Sequence, residues 1–208
     1  MRLKHILPVI LVVFTNKSYG QQPRLTINWY PLALVDFISG SSYRLGAEVR
    51  LYQAWSVKFS GGGYFRNFNG LENTKGAIGT LALKKYINPA TGKYLSADFL
   101  VKNQSFNWST DTIRIAPDHI QTYRLDKHLW AISIKYGQAK VYANGFVFDW
   151  FVGLGLRYKN VSASLSPDEI KHRDPGDSQI VPFMTSVGHR VVPNVSIGFV
   201  VGYCFFKE

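Results

Sequence analysis

The stretch Phe146-Val147-Phe148-Asp149-Trp150-Phe151-Val152-Gly153-Leu154-Gly155-Leu156-Arg157-Tyr158 decides the fold. Every second residue, from Phe146 through Phe148, Trp150, Val152, Leu154 and Leu156 to Tyr158, is large and apolar. The residues between them are small, charged or occasionally apolar. Side chains of a strand point to alternate faces, so this segment has one continuous apolar face and one mixed face. The end of the chain repeats the device: Val195, Ile197, Phe199, Val201, Tyr203 and Phe205 alternate with Ser196, Gly198, Val200, Gly202, Cys204 and Phe206. Apolar residues outside and charges and glycines inside are the dyad pattern of a transmembrane β-barrel, in which a tilted crossing takes roughly 9–11 residues.

The first twenty residues predict export. Arg2 and Lys4 form a basic start, Ile6 to Phe14 an apolar run, and Ser18-Tyr19-Gly20 places small residues at the positions that precede a cleavage site. This is the pattern of a secretory signal peptide, too short for a spanning helix. The domain reading is therefore a signal peptide at 1–20 and one barrel domain at 21–208. Cleavage removes Arg2, Lys4 and Lys17 and no acid, so the formal charge falls from +11 to +8. Mean hydropathy is −0.05, too polar for a bundle of membrane helices. A barrel meets no such objection, because only alternate residues face lipid. The single cysteine, Cys204, cannot form an internal disulfide and falls on the inward face of the last strand as a small packing residue.

The same alternation predicts eight strands, at about 24–37, 43–53, 55–66, 75–87, 94–106, 128–138, 146–158 and 195–205. Gly61-Gly62-Gly63 in the third suits a bend or bulge in a tightly curved wall. With a periplasmic start, the even connections of an outer-membrane barrel are short and the odd ones longer. The chain agrees: 53–54, 88–93 and 139–143 are short, while 67–74, 107–127 and 159–193 are long. The first connection, 38–42, is the exception.

This phase sends a set of charges inward: Arg44, Glu48, Arg50, Lys58, Lys84, Asp98, Lys102, Lys135, Asp149 and Arg157. An eight-stranded barrel encloses only enough space for side chains to fill. Charges held there must pair, because an isolated buried charge costs several kcal/mol. A plug of ion pairs and hydrogen bonds is expected rather than a conducting pore, with partners that spacing does not assign. A second set of cations, Arg66, Lys75, Arg114, Arg124, Lys127, Lys159, Lys171, Arg173 and Arg190, falls near the expected outer rim. There they could meet the phosphates of lipopolysaccharide, or simply form a solvated basic edge.

Motifs for chemistry are sparse. His119, His128, His172 and His189 lie in or beside expected loops without the i, i+4 spacing of a helical metal pair. One cysteine excludes cysteine-rich zinc patterns. A hydrolase could be assembled from His119 or His128 with Ser133 or Ser105, as any serine-containing barrel would allow. There is no G-x-S-x-G, no Walker loop and no dinucleotide fingerprint. No cofactor, metal or catalytic residue is expected. The net positive charge does not point to nucleic acid, because there is no basic helix or RNA-binding motif and the chain is exported.

Several segments carry a resemblance: Tyr43-Arg44-Leu45-Gly46-Ala47-Glu48; Trp55-Ser56-Val57 with the following glycines and Tyr64-Phe65; Lys84-Lys85-Tyr86; Phe148 to Tyr158; and Pro193-Asn194-Val195-Ser196-Ile197-Gly198-Phe199. In order and spacing they resemble the small eight-stranded outer-membrane β-barrel proteins of unknown function of Bacteroides-type bacteria (Bacteroidota). The resemblance covers most of the mature chain. It implies an all-β, antiparallel, up-and-down transmembrane barrel in the bacterial outer membrane, inserted by the barrel-assembly machinery, with no established activity. Many such barrels end on an aromatic assembly signal. Here Phe205-Phe206 is followed by Lys207-Glu208.

The leading expectation is a non-enzymatic outer-membrane protein, its barrel a plugged anchor and its loops facing the surface or lipopolysaccharide. One rival is an enzyme, a hydrolase or acyltransferase acting on lipid A or phospholipid. Another is a soluble periplasmic calyx for a small apolar ligand. That calyx would turn the face bearing Trp150, Val152 and Leu154 inward. Oligomeric state and ligand are not readable from the chain.

Overall fold

The computed structural model describes residues 25–35, 41–52, 54–66, 71–108, 112–113, 123–165, 173–174 and 187–205. The segment 1–20, Arg114, His119, Lys171 and His172 lie outside the described residues, as do the side chains of Arg66 and Arg173.

The strands are β1 (Leu25–Trp29), β2 (Ser41–Tyr52), β3 (Trp55–Arg66), β4 (Leu71–Asn88), β5 (Lys93–Trp108), β6 (Thr112–Ile113), β7 (Tyr123–Val141), β8 (Phe146–Ala163), β9 (Arg173–Asp174) and β10 (Gly188–Cys204). Eight of them form one antiparallel sheet closed into a barrel in the order β1-β10-β8-β7-β5-β4-β3-β2. Each pairs with its neighbour in the chain, and β1 pairs with β10 to close the ring. The remaining two, β6 and β9, are a two-residue ladder joining the two longest connections at one end.

The period-two reading holds around the ring. On β8, Leu154 is 68% exposed while Asp149 is 1% exposed. The outer wall carries Leu45, Phe59, Leu81, Phe99, Trp130, Ile132, Leu156, Val195 and Ile197, all exposed. The inner wall carries Glu48, Lys58, Lys84, Ser96, Asp98, Lys102, Ser133 and Asp149, all buried. A small apolar cluster of Phe106, Tyr123, Leu125, Val161 and Leu165 fills the interior at the end where the long connections leave.

Three expectations need correction. The strands beside the long connections run further than their apolar alternation, to Trp108 on β5, from Tyr123 on β7 and to Ala163 on β8. Backbone pairing continues there without needing an apolar outer face. The three glycines of β3 make no bulge: Gly61, Gly62 and Gly63 stay in unbroken register with Gly79, Ile78 and Ala77. Gly62 instead lets β2 approach closely, since a Cβ there would run into the backbone oxygen of Tyr43. The register shifts fall elsewhere, for instance between Glu72 and Lys75, where Asn73 takes a φ of 52°.

The first strand is the largest departure. It ends at Trp29 rather than near residue 37. Pro31 has no N–H to continue a ladder, and the chain turns into a one-turn 3₁₀ helix, Pro31–Val35. Tyr30 points inward, its ring 5.2 Å from Lys58 Nζ. The ladder from β1 to β10 therefore stops at Trp29 opposite Val201, and that to β2 at Trp29 opposite Leu45.

Candidate functional site

The inward phase of β2, β3, β4, β5 and β8 brings two acids and two lysines to one level of the interior. Lys84 Nζ lies 2.8 Å from Glu48 Oε2 and 2.8 Å from Asp149 Oδ2. Lys58 Nζ lies 3.1 Å from the same Asp149 oxygen. Ser56 Oγ and Tyr86 OH each donate to Glu48 Oε1 at 2.7 Å, and Tyr94 OH donates to Asp149 Oδ1 at 2.6 Å. Each carboxylate thus receives three donors, and two cations balance two anions. A buried charge is tolerable only when it is paired and its remaining lone pairs are occupied. The rings complete the shell, with Lys84 Nζ 4.1 Å from the Tyr94 centroid and the Arg50 guanidinium 4.5 Å from that of Tyr86.

Room for this shell is made on the neighbouring strand. A Cβ on Gly137 would sit 2.5 Å from Tyr94 OH, so the tyrosine occupies space that only glycine leaves.

A second interior cluster holds Asp98. Lys135 Nζ donates to its Oδ2 at 2.6 Å and Ser96 Oγ to its Oδ1 at 2.6 Å. A third centres on Asn194, whose Oδ1 accepts from Arg157 Nε at 3.1 Å while its Nδ2 donates to Ser133 Oγ at 3.1 Å. Arg44 Nε donates to Ser42 Oγ at 3.0 Å, and Lys102 lies 4.7 Å from the Tyr64 ring centroid. Of the ten charges expected inside, Glu48, Lys58, Lys84, Asp98, Lys102 and Asp149 are buried, and Arg44, Arg50, Lys135 and Arg157 are half-buried at inward positions of their strands. Their neutral partners Ser56, Tyr86, Tyr94 and Asn194 were missed. Phase alone would have found Tyr86, two residues beyond Lys84, and Tyr94, two before Ser96.

The expected rim divides. Lys75 and Arg190 are exposed, as is Arg124, which pairs with Asp126 at 3.1 Å. Lys127 and Lys159 are buried and face the interior, so they leave the set of outward rim cations. Both are in phase with inward residues of their strands, Ala131 and Ser133 on β7 and Gly155 and Arg157 on β8. Arg190 stands opposite Lys159 in the ladder and shares its face.

Of the histidines considered for a hydrolase, His119 lies outside the described residues and only His128 can be placed. Ser133 is buried inside, whereas His128 is on the outer face, its Nδ1 2.8 Å from Asn103 Oδ1 rather than beside a serine. His189 Nδ1 is 2.9 Å from Tyr158 OH. Among the described residues no three His, Cys, Asp or Glu side chains are grouped to hold a metal ion. Comparison with protein-family models, with curated proteins and with solved structures found no match.

Proposed function

We propose that the protein is a non-enzymatic outer-membrane β-barrel whose plugged ring anchors it in the bilayer and whose long connections meet the cell exterior. One observation carries this reading: the faces are inverted relative to a soluble protein. Ile197 is 77% exposed on the outer wall while Lys84 is 2% exposed inside. An exposed apolar belt around a whole ring is unfavourable in water and favourable in lipid. The belt has a suitable height. From Phe146 to Tyr158 the strand rises about 40 Å, and a tilt of about 40° brings that to roughly 30 Å, the thickness of a hydrocarbon core. Ring pairs stand toward its ends: Trp130 with Tyr158 at 6.4 Å between centroids, and Tyr203 with Phe205 at 5.2 Å. Aromatic girdles at both interfaces accompany such belts.

On this reading the signal at 1–20 is cleaved and the barrel-assembly machinery inserts the chain. The exposed cations Lys75 and Arg124, with Arg66, Arg114, Lys171 and Arg173, meet lipopolysaccharide phosphates. A soluble calyx would need Trp150, Val152 and Leu154 lining the interior, where Asp149 and Lys84 are found instead. The test is membrane fractionation with gel mobility compared before and after boiling. Protein in the outer-membrane fraction that shifts on heating supports the reading. Soluble periplasmic protein overturns it.

A further inference from the structure

An apolar groove is cut into the outer wall. It holds about 430 Å³ and runs between the side chains of β7 and β8. Ile132 stands opposite Leu156 in the ladder, and Ile134 opposite Leu154. All four are more than half exposed, so they rise as ridges on either side. Between the ridges the groove reaches the wall itself at Ser133 and Gly155, an opposed pair. Neither fills it: glycine has no side chain, and Ser133 turns its hydroxyl inward to Asn194 Nδ2. Phe99 on β5 and Val191 on β10 bound it at the sides. From Ile134 to Trp130 the strand rises about 14 Å, so the groove is long enough for an extended hydrocarbon chain.

The upper end of the groove is a chemical boundary. Trp130, Tyr158 and Val191 form its last apolar row, and the Tyr158 ring stacks on His189 at 6.1 Å between centroids. Two residues further toward the long connections, the outward row is Asn103, His128, Asn160 and His189, in register across β5, β7, β8 and β10. That polar row spans three strand spacings, roughly 14 Å. Beyond it Lys75 is exposed on β4, in register with Ser105 and Asp126, and Arg124 is exposed on β7.

The groove lies in the half of the belt nearest the long connections, which the membrane reading places in the outer leaflet. A chain seated between Ile132 and Leu156 brings its head to the His128 row, with the two cations just above. The head that fits is wide and anionic. A phosphorylated disaccharide carrying several acyl chains spans such a row, whereas a single glycerol phosphate is narrower. We infer that the groove between β7 and β8 is a binding site for lipopolysaccharide, one acyl chain of its lipid A anchor lying between Ile132 and Leu156 and its phosphates held at Arg124 and Lys75. The inference rests on the membrane reading above and gives the lipopolysaccharide contact a place on the wall.

The experiment is native mass spectrometry of the folded, heat-modifiable protein in detergent, titrated with purified lipid A and separately with phosphatidylglycerol. One saturable equivalent of lipid A is expected, bound about tenfold more tightly than phosphatidylglycerol. Ile132→Trp, which fills the groove, should weaken lipid A binding about tenfold. Arg124→Gln should weaken it by about the same factor, the loss of one charge-assisted hydrogen bond. Leu45→Trp, on the outer face of β2 across the ring, should leave the affinity unchanged. Equal affinity for the two lipids, no saturable lipid A, unchanged affinity in either Ile132→Trp or Arg124→Gln, or a dimer that covers the groove each overturns the inference. Every variant is checked for its heat shift first. Protein that shifts but binds no lipid A removes this site and leaves the membrane reading standing, whereas wild-type protein that never shifts removes the reading itself.

Discussion

Lys84 Nζ and Asp149 Oδ2 lie 2.8 Å apart across the interior, on strands that are not neighbours in the ring and 65 residues apart in the chain. With Glu48 and Lys58, this contact ties β2, β3, β4 and β8 together at one level. The wall is held by backbone ladders, whereas this bond spans the space the wall encloses.

Removing the shared cation should therefore cost more than an ordinary core truncation. Lys84→Met leaves Glu48 and Asp149 with one lysine between them, and breaking a buried pair this way costs about 3–5 kcal/mol. Urea unfolding of the protein folded in lipid vesicles reads the loss directly. Lys85→Met, one residue along on the exposed face, should change stability by less than about 1 kcal/mol. Equal effects would refute a structural role for the interior network.

Adjacent glycines on β3 should behave oppositely. A Cβ on Gly61 meets nothing closer than Ile78 O at 3.8 Å, while one on Gly62 collides with Tyr43 O. Gly61→Ala should be neutral or stabilise by up to about 1 kcal/mol, because it restricts the unfolded chain. Gly62→Ala should destabilise by about 1–3 kcal/mol through overpacking against β2. The same unfolding measurement separates the two, and equal tolerance would show that β2 can move away.

Charge on the outer wall should act according to its height. Leu154 is near the middle of the belt, so Leu154→Arg should cost about 2–4 kcal/mol in a bilayer. Ser162, an exposed residue eight further along the same outer face and beyond Tyr158, should accept arginine at a cost of roughly 0–1 kcal/mol. If both substitutions are harmless in vesicles, the belt does not contact hydrocarbon.

The filled interior should be electrically silent. Tyr94, Lys84 and Asp149 are almost wholly buried at one level of the interior, and an eight-stranded ring encloses little more than the side chains that fill it. Planar-bilayer recording of the wild type should show no steady conductance. Lys84→Ala combined with Tyr94→Ala should produce resolvable openings. Steady wild-type conductance would replace the plug with a pore.

Much of this was legible in the chain because strand phase is local. Phe146 to Tyr158 declared which face was apolar, and the same count on β2 and β5 put Glu48 and Asp98 inside. The expectation failed where a rule depended on neighbours. Pro31 broke a strand that looked continuous to residue 37, and the glycines of β3 made a close approach rather than a bulge. Lys127 and Lys159 seemed to belong to the rim because the apolar alternation stops before them, yet their strands continue and carry both side chains inward.

The sequence by itself determined the period and the inward set of charges, since each follows from residue order along one segment. Only the tertiary structure decided that Lys84 bridges Glu48 and Asp149, that Tyr94 fills the space left by Gly137, and that among the described residues β10 above Val201 pairs with β8 alone. The reason is geometric. Alternation says which side of the wall a residue faces, but pairing across a closed ring depends on strand order, stagger and curvature, which no single segment contains.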